Sequence, residues 1–110
     1  MKNVSVRFEP FVLHTRCRNI DIAAKLLSVS VESGFKNSGI SVGGKKREKF
    51  VVATRSAHTM EVPLSNSEGK LLVQKEYLQF VLNLADEKMN ENCRRISKFE
   101  ENLKKGFFSD

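Results

Sequence analysis

The sequence predicts a two-layer α/β domain. Two helices, the second long and C-terminal, lie on one face of a mixed or largely antiparallel sheet. Three observations predict this. Apolar and polar residues alternate in several short stretches, the period of a half-buried strand. Two other stretches, Ile22–Ser30 and Leu78–Leu103, repeat every three or four residues, the period of a helix packed on one side. The elements run strand, helix, strand, strand, strand, short strand, long helix, an order that stacks helices on a sheet.

The first strand starts where Val4, Val6 and Phe8 alternate with Ser5, Arg7 and Glu9. Pro10 has no N–H to give to a ladder, which predicts a bulge or an edge there. Phe11, Val12 and Leu13 resume the apolar run towards Cys17. If the strand continues, His14, Arg16 and Arg18 share one face. Asn19 or Asp21 caps the next helix. Gly34 suits the left-handed position that ends it, and Phe35 follows where a side chain packs back on the last turn.

Ser38–Val42 reads as a short strand. Gly43-Gly44 opens a turn, the loop is GGKKREK, and Phe50–Thr54 returns. Ala57-His58 reads as the next turn. Met60, Val62 and Leu64 alternate again, with Pro63 at an end or an edge. SNSEGK is a loop, and Leu71–Val73 a further short strand. Gln74 to about Lys105 is one long helix with a stripe of Leu78, Leu82, Ala85, Met89, Cys93, Ile96, Phe99 and Leu103. The N-terminal two-thirds of that stripe is expected to cover the sheet. The C-terminal third is expected to overhang and to need another surface, from an upstream domain or a partner chain. The sheet face away from the helices is left solvated, ligand-bound or paired.

The 110 residues fit one domain, residues 1–110, and 40% hydrophobic content suffices for a core. Nineteen Lys plus Arg against 13 Asp plus Glu give a net charge of +6, which attracts polyanions. Cys17 and Cys93 show no metal-ligand or CxxC spacing, and two separate thiols are expected rather than a disulfide. No apolar run approaches the length of a membrane-spanning helix. MKNVSVRFEP lacks the apolar centre of a signal peptide, so a reducing, cytoplasmic setting is expected.

Several stretches carry chemistry. GISVGGKKR has neither the spacing of a phosphate loop nor that of a dinucleotide fingerprint. Lys45, Lys46, Arg47 and Lys49, opposed by Glu48 alone, form either a phosphate-contacting loop or a solvated hairpin tip. His14, Arg16 and Arg18 are a second cationic row, on a ligand-binding face or a plain polar one. Arg55, Ser56, His58 and Glu61 cluster where one strand turns into the next, and Asn37 and Ser38 lie at another strand opening. If these rims meet, one cleft collects a carboxylate, an imidazole, a guanidinium and hydroxyls. Two histidines do not make a metal site. Residue content alone leaves three classes open: an enzyme, an RNA-binding module, and an assembly domain built on the long helix.

Taken together, RFEPFVLHTRCR, ESGFKNSGISVG, VATRSAHTMEVPLS and EYLQFVLNLADEKMNENCRRISKFE resemble, in order and over nearly the whole chain, the wybutosine-synthesis protein 3 family. The resemblance implies transfer of a methyl group from S-adenosylmethionine to N4 of a 4-demethylwyosine precursor in phenylalanine tRNA. It implies a two-layer α/β fold unlike the doubly wound sheet of most such enzymes. Family members carry a serine- and cysteine-rich stretch before the FEPF block, so residues 1–110 are expected to be the C-terminal part of a longer methyltransferase. The methyl and the ring nitrogen must meet in line, and a nearby base must take the proton. On this reading His14, His58 and Glu61 are the proton acceptors. Asn37, Ser38 and Gly39 contact the donor or the modified base. Arg16, Arg18, Arg55 and Ser56 hold the substrate, and Lys45, Lys46, Arg47 and Lys49 steer the tRNA. No metal is called for. The alternative is a non-catalytic RNA-binding or assembly domain derived from that enzyme.

Overall fold

The computed structural model describes residues 4–108, which form five strands and two helices. The strands are β1 (Ser5–Phe8), β2 (Val12–Cys17), β3 (Gly39–Gly43), β4 (Lys49–Arg55) and β5 (Met60–Pro63). The helices are α1 (Ile20–Glu32) and α2 (Lys75–Phe108). All strand pairing is antiparallel. The expected single sheet is instead two: β1 pairs with β5, while β2, β4 and β3 make a three-stranded sheet in that order. The chain changes sheets at Pro10, which cannot donate to a ladder, and again between Arg55 and Met60. Two compact units result, residues 4–9 with 58–91 and residues 10–57 with 92–108.

In the first unit Val6 faces Val62 and Phe8 faces Met60. Val4 N–H donates to Ser65 Oγ at 2.7 Å. The SNSEGK loop is a tight turn in which Asn66 Oδ1 accepts from the N–H groups of Glu68 (3.0 Å) and Lys70 (2.9 Å). The expected strand Leu71–Val73 shrinks to one bridge, Ser65 to Leu71. The chain enters α2 four residues later, too soon for a ladder. Phe8, Leu64 and Val81 are buried here.

In the second unit α1 packs on β4. Asn19 is the cap, its Oδ1 accepting from Ile22 N–H at 2.9 Å. The far end closes as the sequence predicts. Gly34 has φ 104°, Gly34 N–H donates to the Val31 carbonyl at 3.1 Å, and Phe35 N–H to the Ser30 carbonyl at 3.0 Å. Phe35 is then fully buried between the rings of Phe11 (5.1 Å) and Phe99 (6.1 Å). Cys17, Ala23, Leu26, Val29 and Val52 complete the core. A buried hydroxyl pair crosses it. Ser30 gives its single hydrogen to the Leu26 carbonyl (3.0 Å), so Thr54 donates to Ser30 (2.8 Å).

The expectation for α2 is reversed. Its C-terminal third does not overhang but is well packed: Phe99 is 8% exposed, and Ile96, Leu103 and Phe107 pack on the same core. Upstream, Leu82, Tyr77, Met89 and Phe80 are 42%, 48%, 50% and 61% exposed, while Val81 is buried. The reason is the core's composition. Phe11 and Phe35 offer an aromatic socket that only the Phe99 end of the stripe fills. Helix α2 also runs past Lys105 through Gly106, where a Cβ would lie 3.3 Å from a Val29 methyl, so the missing side chain lets α1 and α2 approach closely. Cys17 and Cys93 are unbonded thiols. No helix among the described residues is long and apolar enough to cross a membrane.

Candidate functional site

The three-stranded sheet of the second unit has one covered face and one open face. Strand alternation and the register decide which residue goes where. Thr15, Cys17, Val52, Thr54 and Ile40 point to the helices. His14, Arg16, Lys49, Val51, Ala53, Arg55, Gly39, Ser41 and Gly43 share the other side. His14, Ala53 and Gly39 form one cross-strand row, and Arg16, Val51 and Ser41 the next; Lys49 opposes Gly43, and Arg55 opposes Val12. A groove of about 410 Å³ lies on this face, lined by His14, Lys49 and Arg55 above the small residues of β3. No carboxylate is among the lining residues.

The floor is shallow because β3 presents only Gly39, Ser41 and Gly43 here, and its apolar Ile40 and Val42 lie at the other parity. A Cβ on Gly43 would meet nothing within 4 Å, and one on Gly39 only Arg55 Nη2, at 3.7 Å. Glycine in a strand often marks close approach of a ligand or another backbone. Sequence reasoning missed Ser41 and Gly43. The signal was the small-large alternation of GISVG, visible once it is read as a strand with two unlike faces.

Of the residues expected to contact the donor, Asn37 and Ser38 are turned towards Arg55. Arg55 N–H donates to Ser38 Oγ at 2.9 Å, Arg55 Nε–H to the Asn37 carbonyl at 3.0 Å, and Ser38 O–H to the Phe35 carbonyl at 2.7 Å. Ser56 is buried, its N–H donating to the Phe11 carbonyl at 3.0 Å.

The basic loop is a tied turn at the tip of the β3–β4 hairpin. Gly44 and Arg47 take positive φ, 86° and 56°. Glu48 folds back and accepts from Lys46 N–H at 2.9 Å. Lys45, Lys46 and Arg47 are therefore presented at the tip, and Lys49 enters the groove.

Arg18 lies beyond the end of β2. With Arg16 it borders a second, largely apolar groove of about 560 Å³ on the helix side, lined also by Leu13, Ile22, Phe99 and Phe107. His58 and Glu61 belong to the first unit. Glu61 accepts from Arg7 at 2.8 Å, and this bond, with that of Glu9 at 3.3 Å, raises the Arg7 guanidinium above its ordinary value. The lining of the 410 Å³ groove is drawn from the second unit alone, so of the three expected proton acceptors it includes His14.

Comparison with known proteins completes the picture. The family model "Methyltransferase TYW3" matches residues 1–105. The tRNA wybutosine-synthesizing protein 3 homolog of Homo sapiens is 52% identical over 97 residues, 88% of this chain and 36% of that protein. That of Xenopus laevis is 48% identical over 94% of this chain and 40% of its own length. The solved structure of the PH1069 protein from Pyrococcus horikoshii superposes with a TM-score of 0.83 at 26% identity, over 92% of this chain and 50% of that one. The chain thus spans well under half the length of the curated relatives it matches. With the family model covering 105 of 110 residues, the chain belongs to the TYW3 methyltransferase family.

Proposed function

We propose that this chain serves in S-adenosylmethionine-dependent methylation of N4 of a 4-demethylwyosine precursor in phenylalanine tRNA, in the cytoplasm. The observation that carries the reading is the open, cationic sheet face, its groove free of lining carboxylates, in a chain of this family. Along β4, Lys49 and Arg55 are six residues apart, about 20 Å at strand rise. With Arg16 and the hairpin tip they form a basic surface long enough for several phosphates. The residues also fit the donor. Its carboxylate suits Arg55, and the glycines of β3 leave room for a flat ring.

When bound, the donor supplies the methyl group on its sulfonium. The chain's own residues orient and exchange protons. Gly39 gives close access to the sheet, and Asn37 and Ser38 fix the groove's arginine. Arg16 supports the substrate side, Lys45, Lys46, Arg47 and Lys49 steer the tRNA, and His14 takes the proton released at nitrogen; the expected parts of Arg18 and Ser56 there do not fit, since Arg18 borders the helix-side groove and Ser56 is buried. His58 and Glu61 are the further candidates for that proton.

The test is a labelled-methyl transfer assay with tRNA from cells blocked just before this step. Label on the tRNA, lost in His14→Ala, supports the reading. No label from folded chain would favour the second reading, a non-catalytic RNA-binding domain. A pure RNA module would bind the tRNA and ignore S-adenosylmethionine. The exposed Tyr77, Phe80, Leu82 and Met89 keep an assembly role for α2 in view, tested by the oligomeric state.

A further inference from the structure

Arg55 is held at two points, its backbone N–H on Ser38 Oγ and its Nε–H on the Asn37 carbonyl. Ser38 is itself fixed. Its hydroxyl hydrogen goes to the carbonyl of Phe35, the residue at the centre of the core. A serine hydroxyl has a single hydrogen, so towards Arg55 it can only accept. One lone pair is left for anything else.

The guanidinium divides in the same way. Nε is used inside the protein. The Nη end lies across Gly39, where the absent side chain leaves it in contact with the groove. No described carboxylate pairs with it. An arginine tied this way has already lost much of its rotamer freedom, so less remains to be lost when an anion binds. Its two outward nitrogens have the spacing of a carboxylate or a phosphate.

We propose that Arg55 is a pre-set fork for an oxyanion, and that Ser38 is the positioning residue that aims it. The oxyanion is a phosphodiester of the RNA or the carboxylate of the methyl donor; both present the same paired oxygens. The proposal rests on the functional reading above for the identity of those two ligands. It changes the part expected of Ser38, from touching the donor to holding the residue that does the binding.

The experiment follows the Arg55 Nε–Hε resonance in the ¹⁵N-labelled chain, assigned by its loss in Arg55→Lys. One arm is titrated with S-adenosylmethionine and the other with an RNA hairpin of the anticodon arm. The resonance is expected to move with whichever ligand supplies the oxyanion, and for RNA the shift should weaken with salt. Ser38→Ala should weaken that ligand by about 10-fold, the loss of roughly one well-placed hydrogen bond. Ser38→Thr, which keeps the hydroxyl, should stay within about 2-fold. Arg55→Lys should lose about 10-fold, since a lysine cannot be tied at Nε and fork outward at once.

A silent Arg55 resonance in both arms overturns the proposal, as does Ser38→Ala binding like the parent. If Ser38→Ala does not fold, wild-type affinity in Arg55→Lys overturns it instead. Methyl transfer is not a readout here. An inactive chain whose Arg55 responds would defeat the functional reading and leave this inference standing, whereas an active chain with a silent Arg55 would do the reverse.

Discussion

The two faces of the three-stranded sheet come from the same strands and differ in almost everything else. On the covered face Val52 and Thr54 are fully buried, Cys17 nearly so, and the polar atoms are paired with one another. On the open face Lys49 and Arg55 stand in solvent over glycine and serine, and the exposed Arg16 shares a cross-strand row with Val51 and Ser41. A one-residue step along β4 moves from one environment to the other, from Thr54 in the core to Arg55 in the groove. Alternation thus lets a short strand hold the fold and present an open cationic surface together, and substitutions at adjacent positions should have unlike consequences.

Four experiments test that contrast. The largest effect is expected at the covered side: Phe35→Ala should cost about 3–5 kcal/mol in urea unfolding, because it empties the space between Phe11 and Phe99. If it cost no more than a surface change, the core assignment would fail. On the open side, Arg16→Ala, Lys49→Ala and Arg55→Ala together should leave stability within about 1 kcal/mol. They should lower the salt slope of tRNA binding by about 0.7 for each single-strand phosphate that is no longer neutralised. An unchanged slope would move the RNA surface elsewhere. Thr54→Val removes the donor to Ser30 while Ser30 keeps its bond to Leu26, and should cost about 1 kcal/mol.

The smallest effect concerns pH. Burial pushes the Cys17 thiol above its ordinary value, so the folded state keeps its proton after the unfolded chain has lost it. The native state then binds more protons, and stability falls as pH rises. Unfolding free energy should be insensitive to this group at neutral pH and decline above about pH 8.5. Cys17→Ala should remove that part of the decline. A slope unchanged in the variant would assign it to other groups.

Local chemistry was legible in the sequence. Asn19, Gly34 and Phe35 fix the ends of α1 because caps are made within a few residues. The strands around Val6 and Val62 follow from alternation, and the one around Val52 from the return of the chain after the GGKKREK turn. Pairing partners were not legible. Nothing in the period of two says that β1 joins β5 while β2 joins β4, so one sheet was expected where there are two. The depth of burial along α2 was also hidden, since Leu82 and Phe99 occupy equivalent places in the stripe and only the aromatic socket distinguishes them. At the candidate site, residue types were readable, but the allotment of hydrogen bonds was not. Ser38 looked like a ligand-binding residue because a sequence does not show that its one hydrogen is spent on Phe35.

The helix end at Gly34 also bears on the arginine of the groove. The two acceptors that steady Arg55, Ser38 Oγ and the Asn37 carbonyl, lie in the turn that follows Gly34, and Ser38 is anchored to Phe35. A chain without that turn would carry all its positive charge but would lack the two acceptors that orient the guanidinium. The aim of the groove's arginine thus depends on a residue that has no side chain of its own.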